Sequence, residues 1–261
     1  MKAIFLGTSG YHPSAARHTA GVLVPEASLL LDAGSGTFRL PEQFPADPGD
    51  GRELDLVLSH AHLDHIIGLT FFIVWLQENR FATVRLHARD EVHEAIERHL
   101  FSELIFPVRL PFERRSVDAG DTIELAGGHR LSLWQQPHRG ITLGMRLDAP
   151  DGRSLAYCTD VTARPGEDID PIRGVGALIH ECHFSDAEAE YAEPTGHTHL
   201  TAAATRAAES EAGQTWLTHI NPYYDPADPL DLASVADICD RLVVAEDLMA
   251  IEVGDSPAAD A

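Results

Sequence analysis

Apolar residues recur along this chain in short blocks separated by glycine, proline and aspartate. Blocks of that length and bounding predict strands at 2–6, 21–24, 28–32, 54–59, 83–87, 122–125, 130–135, 141–147, 154–158, 177–180, 214–218 and 249–253. The second and third read as a hairpin around Pro25-Glu26-Ala27, and 41–51 is a Pro/Gly/Asp loop. Longer segments carry a helical period. A helix is expected over about 66–78, and another over 89–104 with Val92, Ile96, Leu100 and Leu104 on one face. An alanine-rich helix is expected over 202–212, closed by Gly213 in a C-cap-like position, and a last one over 230–241. Strands come in runs, each followed by helices, with no repeat of 20–50 residues. That order predicts an α/β protein of four layers, two sheets packed face to face with helices outside, an αβ/βα sandwich. We expect one domain over 1–253 and a frayed tail over 254–261.

Composition changes the picture at three points. No apolar stretch approaches a membrane span, and the opening Met1-Lys2-Ala3-Ile4-Phe5-Leu6-Gly7 is too short for a signal peptide, so the expected location is cytoplasmic. Cys158, Cys182 and Cys239 are odd in number and scattered, which predicts buried fillers rather than a disulfide framework. The net charge of −22 repels phosphate backbones, and no Lys/Arg run builds a basic patch; Glu113-Arg114-Arg115 is the densest cluster.

Candidate chemistry lies at strand ends. The strand at 54–59 runs into His60-Ala61-His62-Leu63-Asp64-His65, four metal-binding side chains in six positions. Imidazole suits zinc and other first-row metals, and aspartate adds oxygen. His60 and His62 can converge on one ion from a tight loop, and Asp64 and His65 can face a second. Further donors come from His138, Asp160 and His219, each at the end of a predicted strand.

This set resembles the metallo-β-lactamase-fold hydrolases, in the branch of ribonuclease Z and related phosphodiesterases. The resemblance rests on His60–His65, on His138, Asp160 and His219, and on Leu6-Gly7-Thr8-Ser9-Gly10 with Pro13, Arg17 and Thr19. Leu31-Asp32-Ala33-Gly34, His180-Glu181-Cys182-His183-Phe184 and Gly196-His197-Thr198-His199-Leu200-Thr201-Ala202 extend it over essentially the whole chain. It implies that His60, His62 and His138 hold one divalent ion, Asp64, His65 and His219 a second, and that Asp160 bridges them. Zinc is the expected metal, with manganese or iron as alternatives, and a bridging hydroxide is the nucleophile. Asp64 can also hold the attacking water. The family uses a histidine before the alanine-rich helix to protonate the leaving oxygen. Counting back from Gly213 selects His199 and counting back from His219 selects His197. We expect His199, with Glu181 orienting it.

The long tRNA-binding arm of ribonuclease Z has no counterpart. His138 and Asp160 stand 22 positions apart and read as a hairpin. With the acidic surface, this favours a small or medium phosphodiester substrate. A ribonuclease Z-like endonuclease using a basic exosite from elsewhere, and a lactone or sulfate-ester hydrolase, are the alternatives. A homodimer is compatible with either. Asp32 is expected to buttress the ligands rather than bind metal. Tyr223 and Tyr224 can line the mouth, as can His12 and His18. Trp75, Phe71 and Phe72 read as core, whereas His87, His93, His99 and His183 are expected to face solvent.

Overall fold

The computed structural model describes residues 1–47 and 49–255, so the expected tail lies outside the described residues from Ser256 onward. Six strands open the chain: β1 Lys2–Gly7, β2 Gly21–Val24, β3 Leu29–Leu31, β4 Glu53–Val57, β5 Thr83–Ala88 and β6 Glu113–Ser116. Eight follow: β7 Thr122–Glu124, β8 Arg130–His138, β9 Gly140–Asp148, β10 Ser154–Cys158, β11 Ala177–Glu181, β12 Gln214–Thr218, β13 Leu242–Val244 and β14 Ala250–Glu252. They form two mixed seven-stranded sheets, ordered β14-β1-β2-β3-β4-β5-β6 and β13-β12-β11-β10-β9-β8-β7. In the first sheet β3 to β6 are parallel and β1 runs with them, being antiparallel to β2. In the second, β10 to β13 are parallel and β8 shares their direction through β9. The strands that carry the candidate residues therefore end on a common side of each sheet.

Alternation within the apolar blocks divides the core into layers. Phe5, Val22, Leu29, Leu31 and Val57 face the other sheet and meet Leu131, Leu133, Leu143, Met145, Leu147 and Tyr157. Their neighbours Ile4, Leu23, Leu30, Leu54 and Leu56 point outward, under Phe72, Trp75, Val92, Ile96 and Leu100. On the far side Ala156, Leu178 and Leu217 pack under Leu200, Ala203, Ala204 and Ala207. Burial on both faces explains why these strands read as unbroken apolar runs. The expected sandwich is the observed one. Trp75 and Phe72 are core residues, and all three cysteines are buried and free. No helix among the described residues is long and apolar enough to cross a membrane.

The helices depart from expectation for local reasons. The segment expected to be one helix over 66–78 is an α-turn at Leu63–Ile66, a 3-10 turn at Ile67–Phe71 and an α-helix at Phe72–Gln77. The Gly68 amide donates to Ala33 O at 2.7 Å and the Ala33 amide donates to His65 O at 2.8 Å. The helical ladder is broken where it must grip the Asp32-Ala33-Gly34 turn. The next helix runs from Asp90 and closes in a π-turn at Ile96–Leu100, which leaves Leu104 94% exposed rather than on the buried face. His87 and His93, expected in solvent, are buried: His87 Nε2 lies 2.7 Å from Asp55 Oδ1, and His93 Nε2 lies 3.1 Å from Arg115 O. His99 is exposed as expected. The segment 230–241 holds only a 3-10 turn, Leu232–Val235, because Asp228 and Ser234 side chains bond to nearby backbone. Strand β6 was invisible because all four of its residues are exposed, polar and at a sheet edge.

The alanine-rich helix is Leu200–Ser210, and its left-handed C-cap is Glu211 (φ 55°), two residues before Gly213. Gly213 serves a different need: a Cβ there would come within 2.8 Å of Gly176 O. Two expectations follow. Glu211→Gly relieves a left-handed side-chain residue and leaves stability unchanged or up to about 1 kcal/mol higher, whereas Gly213→Ala lowers it. Leu147→Ala, in the inter-sheet core, costs about 2–5 kcal/mol. Urea unfolding of the three variants reads all of this, and a stabilising Gly213→Ala would rule out the close approach of Gly176 as the reason for the glycine.

Candidate metal centre

Loops leaving β4, β8, β10 and β12 converge between the two sheets. His60, His62, His138 and Asp160 place one donor atom each within 4.8 Å of one another, and Asp64, His65 and His219 form a second such group. Asp160 faces both. Its Oδ2 lies 3.4 Å from His60 Nε2, 3.9 Å from His62 Nδ1 and 3.6 Å from His138 Nε2. Its Oδ1 lies 3.0 Å from His65 Nε2 and 3.2 Å from His219 Nε2. Asp64 Oδ2 closes the second group, 3.5 Å from His65 Nε2 and 3.3 Å from His219 Nε2.

The far nitrogens fix how the rings face. His138 Nδ1 donates to Gly196 O at 2.7 Å, which turns the Nε2 lone pair inward. Asp32, fully buried, holds two more rings, those of His65 and His60. It accepts from the Ser59 amide at 2.7 Å, Ser59 Oγ at 2.9 Å, His65 Nδ1 at 2.9 Å and Tyr157 Oη at 3.0 Å. Ser59 Oγ in turn lies 2.9 Å from His60 Nδ1. One carboxylate thus orients a candidate ligand in each group, as second-layer carboxylates do around metal histidines. The ring nitrogens left facing the centre, His60 Nε2 and His65 Nε2, are buried with no hydrogen-bond partner in the protein. Burial pushes the His60 imidazole down to about 4, with His65 adding to the effect, so the ring is neutral and its lone pair is free. Burial disfavours charge on His65, yet Asp160, Asp64 and Asp32 outweigh it and raise that imidazole well above its ordinary value, so a divalent ion there would take the place of a proton. Buried, unpartnered nitrogens opposite buried carboxylates are a donor set that fits divalent metal ions.

Backbone strain collects at the same place. Asp32 (φ 57°), Asp160 (φ 45°) and His219 (φ 57°) all take the left-handed conformation that side-chain residues avoid. Gly10 must lack a side chain, because a Cβ there would stand 2.4 Å from His219 Nδ1 and 2.8 Å from His183 Nδ1.

The structure places the two histidines before the helix differently. His199 is the N-cap of Leu200–Ser210, and its Nδ1 lies 2.8 Å from Asp186 Oδ1. Asp186 also accepts from the Thr201 amide and hydroxyl, so it ties His199 to the helix start and away from the ligands. His197 takes the inner position. Its ring centroid lies 5.2 Å from those of His138 and His219 and 4.8 Å from that of His183. Its Nδ1 lies 3.0 Å from Glu181 Oε1, and Glu181 is buried and anchored by the Val161 and Thr198 amides. Burial disfavours charge on His197, yet the Glu181 carboxylate outweighs it and raises the imidazole to about 9. Counting from the observed cap, Glu211, instead of Gly213 moves the selected position back by two, from 199 to 197. His183, expected in solvent, is buried against His197 and His219, with its Nδ1 3.1 Å from His219 O. Tyr223 is exposed, while Tyr224 is tied down by the Ser185 amide. His12 touches the Tyr223 ring and His18 lies beside Ser35. Burial pushes the Cys158 thiol up to about 12 and the Cys182 thiol upward too, which makes both unreactive fillers.

Replacing Asp32 by alanine leaves Ser59, His65 and Tyr157 donors buried without an acceptor. We expect a loss of about 3 kcal/mol or more in unfolding free energy and loss of metal from both groups, read by urea titration and elemental analysis. Full metal retention would remove Asp32 from its place as shared buttress.

Comparison with known proteins agrees with this geometry. Residues 28–220 match the family model described as the beta-lactamase superfamily domain. The chain is 28% identical to ribonuclease Z of Synechococcus sp. (strain WH7803), covering 97% of this chain and 96% of that protein. That alignment spans 315 residues, more than this chain contains, so the relative carries inserted residues that are missing here. The metallo-beta-lactamase fold protein YhfI from Bacillus subtilis superposes with a TM-score of 0.77 at 19% identity, over 96% of this chain and 98% of that one. A diphosphatase from the PhnP family gives a TM-score of 0.72 at 20% identity, over 96% and 97%. The chain belongs to the beta-lactamase superfamily, and is a metal-dependent hydrolase of the metallo-β-lactamase fold.

Proposed function

We propose that this chain is a dinuclear hydrolase of small or medium phosphodiesters. The observation that carries the reading is the division of labour on Asp160, whose two oxygens face separate donor groups. His60, His62 and His138 would hold one ion, Asp64, His65 and His219 the other, with zinc the best fit to this nitrogen-rich set. Bound there, two divalent ions supply hydroxide near neutral pH and a positive clamp on the attacked phosphoryl group. Two carboxylates and neutral imidazoles leave a net positive centre once both ions are in, which suits a diester anion. Asp64 would also hold the attacking water, since its Oδ2 lies beside both His219 and the Tyr11 amide.

The chain's own acid chemistry falls to His197. Glu181 holds its Nδ1 and keeps a proton on the ring, so Nε2 is the atom that would protonate the leaving oxygen. Glu181 is a positioning residue. The hairpin from β9 to β10 fills the stretch between His138 and Asp160, so the chain has no protruding arm there. That and the net charge of −22 support a short substrate over a folded RNA.

A second reading is kept because the relatives include ribonuclease Z. Under it the chain cuts RNA with a basic exosite supplied by another subunit or protein. A gel shift with a labelled tRNA precursor at low salt separates the two, since no binding there removes the second.

The main test pairs elemental analysis with turnover of bis(p-nitrophenyl) phosphate. His197→Ala is expected to keep two metals per chain and lose roughly 10²–10⁴-fold in turnover. His199→Ala keeps metal and most activity, and Asp160→Ala loses metal. Equal metal loss in the His197 and Asp160 variants would overturn the acid assignment. A metal-loaded protein that turns over lactones or aryl sulfates but no diester would overturn the substrate class.

A further inference from the structure

The loop after β1 and the loop after β12 meet over the Asp64–His219 side of the centre, and each carries an uncovered aromatic ring. Tyr11 is 69% exposed and Tyr223 is 78% exposed. His12 stands between them, 4.9 Å from the Tyr11 ring centroid and 5.2 Å from that of Tyr223, edge-on to both. Loop tips usually carry small polar residues, and two large rings left in water beside a candidate catalytic centre are a cost without a packing return.

Three observations tie this lip to the centre. The Tyr11 amide donates to Asp64 Oδ2 at 2.8 Å, so the ring springs from a residue one bond from a candidate metal ligand. Gly10, just before it, packs against His219 and donates its amide to Ile220 O at 3.0 Å. Ser9 Oγ donates to His12 O at 2.9 Å, which fixes the far end of the turn. Tyr11 itself takes a left-handed backbone (φ 65°), a conformation that glycine or asparagine adopts more readily. A tyrosine held there by its neighbours is pre-organised, and strain of this kind collects at ligand clamps.

We infer that Tyr11, His12 and Tyr223 form an aromatic lip that receives a flat ring carried by the substrate's phosphoester, a nucleobase or an aryl group. The inference rests on the phosphodiester reading for the position of the phosphorus, and adds the class of substituent that the chain selects. The rings recognise a π-face without hydrogen-bond readout, so the preference is for ring over alkyl rather than for one base over another.

Calorimetric titration of the metal-loaded protein tests the lip by binding alone. The probes are thymidine 5′-monophosphate, p-nitrophenyl phosphate and methyl phosphate. The ring-bearing esters are expected to bind roughly 5- to 100-fold more tightly than methyl phosphate, in line with stacking on exposed aromatics. Preference for both supports a general ring site, and preference for the nucleotide alone narrows it to nucleobases. In the Tyr11→Ala/Tyr223→Ala double variant the ring-bearing esters fall to the level of methyl phosphate, whose own affinity is unchanged. Equal binding of all three by the wild type, or a preference that survives in the variant, overturns the inference. Failure of the phosphodiester reading looks different: no diester is turned over, while the ring preference persists.

Discussion

Everything in this structure turns on one buried carboxylate facing two ways. Asp160 sits at the end of β10 with almost no exposure, and each of its oxygens looks at a different cluster of imidazoles. A carboxylate in that position is costly unless cations balance it. The donors that would bring those cations cannot come from one sheet. His60, His62, Asp64 and His65 follow β4 in the first sheet, whereas in the second His138 ends β8 and His219 follows β12. The face-to-face packing of the sheets is therefore a condition of the site, and the inter-sheet core around Leu133, Met145 and Tyr157 is what holds the halves in register.

Tyr157 shows how closely core and site are joined. Its ring belongs to the inter-sheet core and its hydroxyl donates to Asp32. Asp32 in turn orients His65 directly and His60 through Ser59. A shift of the sheets by a fraction of an ångström would reach both donor groups along this chain of contacts. The left-handed backbone at Asp32, Asp160 and His219 is the local expense of bringing side chains from strand ends into so small a space. The broken helix after the ligand motif has the same origin, since Gly68 gives up a helical hydrogen bond to secure Ala33.

Most of this was legible in sequence, for physical reasons that also explain the failures. Strands buried on both faces are apolar throughout, so β1, β4, β10 and β12 announced themselves within a residue or two of their ends. The candidate ligands stood out because four donor side chains in six positions after a buried strand are a poor way to build a core. What sequence could not reveal was set by tertiary contacts. Glycine at 213 reads as a helix cap, yet it is required by the close approach of Gly176, and the true cap is a glutamate. That two-residue difference separates His199, which the count from Gly213 selects, from His197, whose ring lies beside those of His138 and His219. His183 and His87 read as surface residues because charged neighbours surround them in sequence, whereas both are buried. The aromatic lip had a weak signal in Tyr223, but Tyr11 was indistinguishable from a loop residue until its amide was seen on Asp64.

The net charge of −22 poses a difficulty for the proposed phosphodiester activity, and a separation of scales would resolve it. At physiological salt the surface field decays over about 8 Å, so the acidic exterior acts on a ligand mainly during approach. That repulsion grows with the number of charges the ligand carries. A single diester anion meets a modest barrier, whereas an extended phosphate backbone meets the sum over many phosphates. Under the proposed function the balance would reverse inside the cleft, because two divalent ions against Asp64 and Asp160 would leave local positive charge where water is scarce and attraction is strong. Attraction confined to one phosphoryl-sized point and repulsion everywhere outside it would select for short substrates. Neutral aromatic contacts would then be the means of recognition that such a surface leaves open, and the loops beside His219 and Asp64 carry exposed rings in position to supply them.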